Sequence, residues 1–137
     1  MALGEKLGDE KGKIIGQRVI PNPNGGAPRM EVSFRSQGQI LGMDANTTAT
    51  YWAEPRGNYF WGEGQGLVML KDGEMVSWKG NGVGRPMAGG KGMQWRGCIY
   101  FETQPGTKHA RLNGVAACFE DETDAEGNHT GVFWEWR

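Results

Sequence analysis

Two glycine-rich runs on either side of an Asp-Gly dipeptide place the tightest constraint on how this chain can fold. Residues 61–66 and 78–84 alternate glycine with larger residues, and Asp72-Gly73 lies between the two runs. Alternation with a period of two is typical of a β-strand, and Asp-Gly between two such runs favours a two-residue type I′ turn. The segment therefore predicts a hairpin, and so many strand glycines predict a strongly curved sheet.

The predicted turn also determines which residues face one another across the hairpin. Leu67 is predicted to face Trp78, and Glu63 is predicted to face Gly82. In this register each glycine of the two runs faces a larger side chain, which restores packing that a strand glycine otherwise loses. We expect one face of the hairpin to line the interior of the curved sheet, namely the face with Trp61, Glu63, Gln65, Leu67, Met69, Val76 and Trp78.

The rest of the chain has the same β-rich character. No window of a dozen residues keeps a helical apolar stripe free of Gly or Pro, and turn signals recur at short intervals. Short loops make sequence neighbours pair antiparallel, so the predicted fold class is all-β, a single closed or nearly closed antiparallel β-barrel of about eight or nine strands in meander-like order. We expect one domain over residues 1–137, with 1–11 frayed. The predicted strands lie near 13–20, 29–35, 39–44, 47–54, 59–70, 75–84, 93–103, 109–120 and 130–137.

Composition narrows the classes of function. The chain has 15 Lys and Arg against 16 Asp and Glu, so the cationic surface that a nucleic-acid partner requires is not expected. The longest apolar runs, residues 67–70 and 115–119, are far shorter than the roughly 20 residues of a membrane helix. The N-terminus lacks the apolar segment of a signal peptide, and two cysteines fit a reducing compartment. We therefore expect a cytoplasmic protein with no nucleic-acid or membrane partner.

A group of polar residues among tryptophans is the candidate site. On the chosen face, Glu63 and Gln65 lie inside the barrel, and Asn113 is the polar member of an apolar face in a later hairpin. A carboxylate and an amide in a Trp-lined cavity suit proton transfer or the orientation of a polar ligand group. The alternative is a polar cluster that closes the barrel end with internal hydrogen bonds. The predicted catalytic residues are Glu63 and Asn113, and the predicted ligand-binding residues are Trp61, Gln65, Trp78 and Trp95.

The histidines, the acidic segment and Cys98 are predicted to have neither a catalytic nor a metal-binding role. His109 and His129 have no cysteine or carboxylate at metal-ligand spacing, so we expect surface side chains and no metal site. The acidic segment 121–128 lacks the ordered alternation of a calcium loop and is predicted to be a solvated loop. Cys98 is predicted to be a buried, unreactive thiol. No cofactor is expected.

The chain resembles a family of uncharacterised short prokaryotic proteins over most of its length. The resemblance rests on residues 4–8, 51–52, 62–66, 71–74, 82–85, 110–116 and 134–136. It implies no established activity. In its strand pattern the chain also resembles the allene oxide cyclase-like barrels, several of which cyclise or bind apolar small molecules. No catalytic motif of those enzymes matches this sequence, and a shared fold does not transfer function.

Three functions remain open, and whether the protein is an enzyme is open with them. The first is binding of a small apolar or amphipathic ligand in the lumen, with isomerase or cyclase-like chemistry. The second is a non-enzymatic interaction or structural module with a packed core, because Val68, Leu70 and Met75 form an apolar outer patch that suits a homo-oligomer, a dimer or trimer. The third is carbohydrate binding, which requires solvent-facing indoles among Trp52, Trp61, Trp134 and Trp136.

Overall fold

Residues 3–137, the part of the chain that this computed structural model describes, form a closed antiparallel β-barrel. The strands pair in sequence order, and the last strand closes on the first, so the predicted fold class is confirmed. The strands are β1 (Leu3–Ile20), β2 (Arg29–Ile40), β3 (Met43–Arg56), β4 (Tyr59–Leu70), β5 (Met75–Pro86), β6 (Gly92–Thr103), β7 (Ala116–Asp124) and β8 (Asn128–Trp136). Two 3-10 turns, Ala88–Gly90 and Ala110–Leu112, lie in the connections. Between residues 3 and 137, no helix has the length and apolar character to cross a membrane.

The N-terminal segment is a strand. β1 begins at Leu3 and pairs with β2 on one side and β8 on the other. Leu7 is buried in the hydrophobic core. Fraying of residues 1–11 is therefore wrong for residues 3–11, because β8 pairs with this polar segment from Leu3 onward and β2 pairs with it from Gly8 onward. Residues 1 and 2 lie outside the described part of the chain.

Several predicted strand boundaries are wrong. The break predicted between strands 29–35 and 39–44 is misplaced. β2 continues to Ile40, and the turn lies at Leu41 and Gly42, which both have positive φ. The predicted strand 109–120 starts too early, because residues 104–115 form a connection with a 3-10 turn. The predicted loop 121–128 is mostly strand, so β7 and β8 extend almost to one another.

The β4–β5 hairpin has a longer turn than the sequence predicts. The Leu70 carbonyl accepts a hydrogen bond from the Gly73 N–H at 2.9 Å, and the Leu70 N–H donates to the Glu74 carbonyl at 2.9 Å. Gly73 has a φ of 87°. This is a three-residue loop with glycine at the left-handed position, in place of a two-residue type I′ turn. The extra residue shifts the register by one, which changes the face that β4 presents relative to β5.

The predicted interior face is consequently right for β5 and wrong for β4. Val76 is buried, and Trp78 packs against the core, as predicted. On β4 the interior side carries glycines followed by Val68 and Leu70, which belong to the core and not to an outer patch. The β4 residues predicted inside but placed on the outer face are Trp61, Glu63, Gln65, Leu67 and Met69.

Glycine makes room for large inward side chains, although not with the predicted partners. Gly66 is the cross-strand partner of Trp78, and a Cβ on Gly66 would lie 2.5 Å from the indole Cε2. The indole thus occupies the volume that a β4 side chain would otherwise need. The prediction that no glycine faces another is wrong for two pairs, Gly62 with Gly82 and Gly64 with Gly80.

The barrel interior is packed at one end. The packed end is the end that holds the turn at residues 41–42, the turn at 71–73 and the connection 104–115. Leu112 of that connection is 1% exposed and covers the core. The other members of the core cluster are Leu7, Ile40, Ala45, Val68, Leu70, Val76, Ile99, Phe101, Ala117 and Phe133.

Replacing Gly66 with alanine is expected to destabilise the protein by roughly 1–3 kcal/mol, the usual cost of overpacking a filled interior. The added methyl group must displace the Trp78 indole. Urea unfolding of wild type and Gly66→Ala measures the effect. Gly16→Ala is the matched control, because no heavy atom lies within 4 Å of a Cβ there, and it should be neutral or slightly stabilising. Equal unfolding midpoints for Gly66→Ala and wild type would contradict the close glycine–indole contact.

Candidate functional site

A cavity of about 80 Å³ lies in the barrel interior beside the hydrophobic core. One ordered water needs roughly 10–15 Å³ of cavity volume, so the space suits a small organic molecule or several waters. Glycines line part of the wall, and the Trp95 indole lies close over one of them, Gly62. The wall residues with phenyl, phenol or indole rings are Phe34, Tyr51, Trp78, Trp95, Phe101, Phe119 and Phe133.

Three titratable side chains from neighbouring strands meet in the cavity wall. They are Glu10 of β1, Asp121 of β7 and His129 of β8. The His129 Nε2 atom lies 2.9 Å from Glu10 Oε1 and 3.7 Å from Asp121 Oδ2. Their side chains are only 14%, 19% and 5% exposed for Glu10, Asp121 and His129 respectively. We refer to these residues as the Glu10–His129–Asp121 cluster.

Gly131 allows the two carboxyl groups to approach His129. In the ladder, Gly131 of β8 is the partner of Glu10 on one side and of Asp121 on the other. A Cβ on Gly131 would overlap Asp121 Oδ1 and lie 3.3 Å from Glu10 Cγ. Because this position has no side chain, both acids lean over β8 toward His129, which is two residues away on the same face.

The imidazole and one carboxylate are held firmly. Glu10 Oε2 accepts a hydrogen bond from Ser36 Oγ at 2.7 Å, while Glu10 Oε1 pairs with the imidazole. The His129 ring stacks on Phe34, with centroids 4.2 Å apart. Asp121 differs, since within residues 3–137 its side chain makes no hydrogen bond. Its carboxyl group is therefore the member of the cluster that is free to interact with a ligand.

Burial sets the protonation of the cluster. It raises the pKa of Asp121 from its usual 3.8 to about 7, with a further rise from Glu10 that His129 and Arg96 oppose. Burial alone lowers the pKa of His129, but the hydrogen bond to Glu10 and the charges of Asp121 and Glu10 outweigh it, so this pKa is raised above 6.5. Burial, with a contribution from Asp121, also raises the pKa of Tyr51 to about 12. Near neutral pH, Asp121 can thus both release and accept a proton.

Two groups of side chains have donor atoms close enough to share a metal ion. In the Glu10–His129–Asp121 cluster, and in a second group of Asp72, Glu74 and His109, the donor atoms all lie within 4.8 Å of one another. In both groups the imidazole is already hydrogen-bonded to a carboxylate, at 2.9 Å in the first and 2.8 Å in the second. A metal would have to replace that bond. Neither group was recognisable from spacing in the sequence, because the ligands come from distant segments.

The structure separates the residues that the sequence predicts as one site. Trp78 and Trp95 line the cavity as predicted. Glu63 is among the residues that line the cavity, between Gly62 and Gly64, but its side chain is on the outer face, where it accepts a hydrogen bond from Trp61 Nε1 at 2.9 Å. Gln65 is also outside and donates to the Thr50 carbonyl. Placing Glu63, Gln65 and Trp61 in the lumen is therefore wrong, and the cause is the length of the β4–β5 turn.

Asn113 is also placed away from the lumen cluster. It ends the 3-10 turn in the connection 104–115, where its Oδ1 accepts a hydrogen bond from the Thr103 N–H at 3.1 Å. In the same connection, His109 is half-buried and bonds to Asp72 at 2.8 Å, which ties the connection to the β4–β5 turn. Asn113 and His109 thus have structural roles at the packed end.

Two residues of the Glu10–His129–Asp121 cluster were assigned wrongly from sequence. His129 is 4% exposed and not a surface residue, and Asp121 is in β7 and not in a solvated loop. A signal was present, because Asp121 continues the every-second-residue pattern of Ala117 and Phe119, and His129 is in phase with Phe133. The acidic composition of 121–128 hid that pattern.

Solved structures share this barrel. The conserved protein of unknown function RPA1785 from Rhodopseudomonas palustris superposes with a TM-score of 0.76 at 14% identity, over 98% of this chain and 99% of that chain. A protein with unknown function from Clostridium acetobutylicum superposes with a TM-score of 0.77 at 11% identity, over 96% of this chain and 95% of the other. No family model and no curated protein matches the sequence. At these identities the likeness shows the fold alone.

Asp121→Asn is expected to stabilise the protein at pH 8 and to change its stability little near pH 4. The folded-state pKa of Asp121 is raised, so ionisation costs free energy in the folded state; the cost is absent below pH 3.8 and complete above about 7. A rise from 3.8 to about 7 corresponds to at most about 4 kcal/mol. The stabilisation from His129, whose pKa is also raised, is present below 6.5 and is lost as pH rises. Urea unfolding at pH 4, 6 and 8 measures both trends.

Glu122→Gln is the matched control for this experiment. Glu122 is the next residue of β7, is exposed and lies on the opposite face of the strand. Its replacement should alter stability equally little at pH 4 and pH 8. An Asp121→Asn protein no more stable than wild type at pH 8 would show that the Asp121 carboxylate is not held against a cost of burial.

Proposed function

We propose that the barrel binds a small, mainly apolar organic molecule in its lumen and that the Asp121 carboxyl group exchanges a proton with it. The observation that carries the proposal is a carboxyl group with a pKa of about 7 that opens onto an aromatic cavity. A general acid or base works best when its pKa is near the working pH. Groups with pKa values this far from normal, in a cavity, are frequent in functional sites.

The rest of the cluster supports proton transfer at Asp121. When Asp121 is ionised, the His129 imidazolium 3.7 Å away stabilises the carboxylate. Glu10, fixed by Ser36, holds the imidazolium in place and balances its charge. Taking the proton from a ligand and returning it therefore needs no movement of the cluster. Isomerase or cyclase-like chemistry requires this kind of proton transfer, and we include it in the proposal.

Aromatic walls would hold the ligand. Trp78 and Trp95 offer large apolar surfaces to the cavity, which suits a flat or apolar molecule. Among residues 3–137, the buried Nε1–H of Trp95 has no hydrogen-bond acceptor. An unpaired buried donor costs free energy, so a ligand acceptor or a water that reaches this atom would be favoured. The proposed ligand is therefore apolar in its body and carries a polar group.

Self-association is a second candidate function, and an outer apolar patch favours it. Leu67, Met69 and Met75 are 56%, 45% and 47% exposed, and Met69 and Met75 are cross-strand partners. This patch replaces the predicted patch of Val68, Leu70 and Met75 and lies outside the barrel, so association is compatible with a ligand in the lumen. If it mediates a dimer or trimer, Met69→Lys should give a smaller species in sedimentation velocity, whereas a monomeric wild type would rule the candidate out.

Carbohydrate binding through exposed tryptophans is less well supported. The Trp52 ring is covered by the Arg29 guanidinium, 3.6 Å from the ring centroid. The Trp61 ring has Arg56 at 5.3 Å. These two indole faces are engaged by cations and so are poorly placed to stack on a sugar, whereas Trp136, another of the four candidate tryptophans, is 48% exposed.

The proton-transfer role can be tested with 5-nitrobenzisoxazole, a small flat aromatic compound. A carboxylate base removes its ring C–H proton while the N–O bond breaks, which releases a coloured cyanonitrophenolate. We expect wild type to accelerate this reaction, with a rate that rises with pH through about 7 as Asp121 ionises. Asp121→Asn should lose roughly 100-fold, a typical contribution of a general base. Glu122→Gln should retain the wild-type rate.

Two further measurements separate binding from chemistry. Quenching of tryptophan fluorescence reports whether the probe enters the lumen, and native mass spectrometry of protein from its own cells reports a ligand that copurifies. If the probe binds equally to wild type and Asp121→Asn and both react at the same rate, the proton-transfer role is wrong. If neither the probe nor a copurified molecule is bound, the lumen is not a binding site and the whole proposal fails.

A further inference from the structure

Cys98 and Cys118 form a pair of thiols on the outer surface of the barrel. They are direct cross-strand partners in the β6–β7 ladder, and both are half-buried. The residues that follow and precede them, Ile99 and Ala117, are buried on the interior side, so alternation places the thiols outside. The pair is therefore separate from the lumen and independent of the function proposed for it. The structure corrects the sequence prediction that Cys98 is simply a buried thiol.

The spacing of the pair fits a disulfide bond. Directly opposed residues of an antiparallel ladder have Cα atoms about 4.5 or 5.5 Å apart, depending on the kind of pair. Both values lie within the roughly 4.4–6.8 Å that disulfides span. Bond formation thus requires side-chain rotation and little movement of the backbone.

Ionisation of both thiols of the pair at the same time is electrostatically unfavourable. Burial, the charge of Cys118 and the thiol–thiol hydrogen bond raise the pKa of Cys98 above its usual 9.0. Since the thiolate is the reactive form, the pair should stay reduced for some time at neutral pH and react faster in alkaline solution. A disulfide carries neither thiol proton and neither thiolate charge, so it avoids the repulsion between two thiolates.

We propose that Cys98 and Cys118 form a reversible cross-strand disulfide by exchange with a low-molecular-weight disulfide such as oxidised glutathione. The thiolate of one cysteine attacks a sulfur of the reagent, whose S–S bond breaks and releases one thiol. The second cysteine then attacks the mixed disulfide and releases a second thiol. The two cysteines lose two electrons to the reagent, and the two departing thiols carry away the two protons.

The Cys98–Cys118 disulfide would link two strands that contribute residues to the cavity wall. β6 carries Trp95, three residues before Cys98, and β7 carries Asp121, three residues after Cys118. A covalent link would also close the segment 98–118, which includes the connection that covers the packed end. Loop closure of this kind restricts the unfolded chain and stabilises the folded protein. Oxidation should therefore tighten the wall that holds Trp95 and Asp121 without occupying the lumen.

The full chain incubated with oxidised glutathione, at pH 7 and at pH 8.5, provides the test. We expect the intact mass to fall by two hydrogen atoms, both free thiols to disappear in a thiol titration, and the reaction to be faster at pH 8.5. The thermal midpoint should rise by roughly 5 °C or more and return to its starting value after reduction with dithiothreitol. Cys98→Ser and Cys118→Ser should each stop at the mixed disulfide and show no such rise.

Other outcomes would overturn the proposal. A wild-type protein that keeps one glutathionyl group on each cysteine would show that the strands cannot close the bond. A disulfide-linked dimer on a non-reducing gel would show that the thiols react between molecules. Thiols that remain free at pH 8.5, in protein that reacts fully once unfolded in urea, would show that the folded barrel shields them.

Discussion

Glycines on neighbouring strands make room for many of the aromatic rings that fill this barrel. An eight-stranded barrel has an interior just wide enough to be filled by side chains or to hold one small ligand. A partner without a side chain therefore helps to accommodate a large inward ring, although Phe34 and Phe101 pack inward without one. Five interior rings have a glycine as a cross-strand partner: Tyr51 with Gly64, Trp78 with Gly66, Trp95 with Gly84, Phe119 with Gly97 and Phe133 with Gly8. The residues of the two glycine–glycine pairs, Gly62 with Gly82 and Gly64 with Gly80, all line the cavity.

The Glu10–His129–Asp121 cluster also depends on a glycine in the neighbouring strand. Gly131 lies between Glu10 and Asp121 in the ladder, and its missing side chain is what lets two carboxyl groups converge on one imidazole. The packing rule that places rings over glycine thus also places charges over glycine. It differs in its energetics, because an aromatic ring over glycine gains contact, whereas a carboxyl group in the same position loses hydration.

Alternation and turns in the sequence predicted the closed or nearly closed barrel, but they did not identify the strands that close it, and the register predicted for the β4–β5 hairpin was wrong by one residue. The pairing of β1 with β8 joins the two ends of the chain, and a charged first strand such as 3–20 carries no local sign of it. Lys71-Asp-Gly-Glu74 is compatible with a two-residue and with a three-residue loop, and the difference of one residue decides whether Glu63 or Gly62 faces inward. Asp121 and His129 were missed because polar residues near a strand end suggest a loop when no partner strand is known.

A barrel that needed only to be stable would not keep Asp121 where it is. The packed end, around residues such as Phe101 and Leu112, supplies apolar burial without any charge, and its connection is fixed by His109 and Asp72 at the surface. Asp121 instead opposes folding at neutral pH, since its carboxylate is buried without a hydrogen bond among the described residues. An asparagine of nearly the same shape would avoid that cost. This cost to the fold is what motivates the proposed role of the cluster toward a ligand in the cavity.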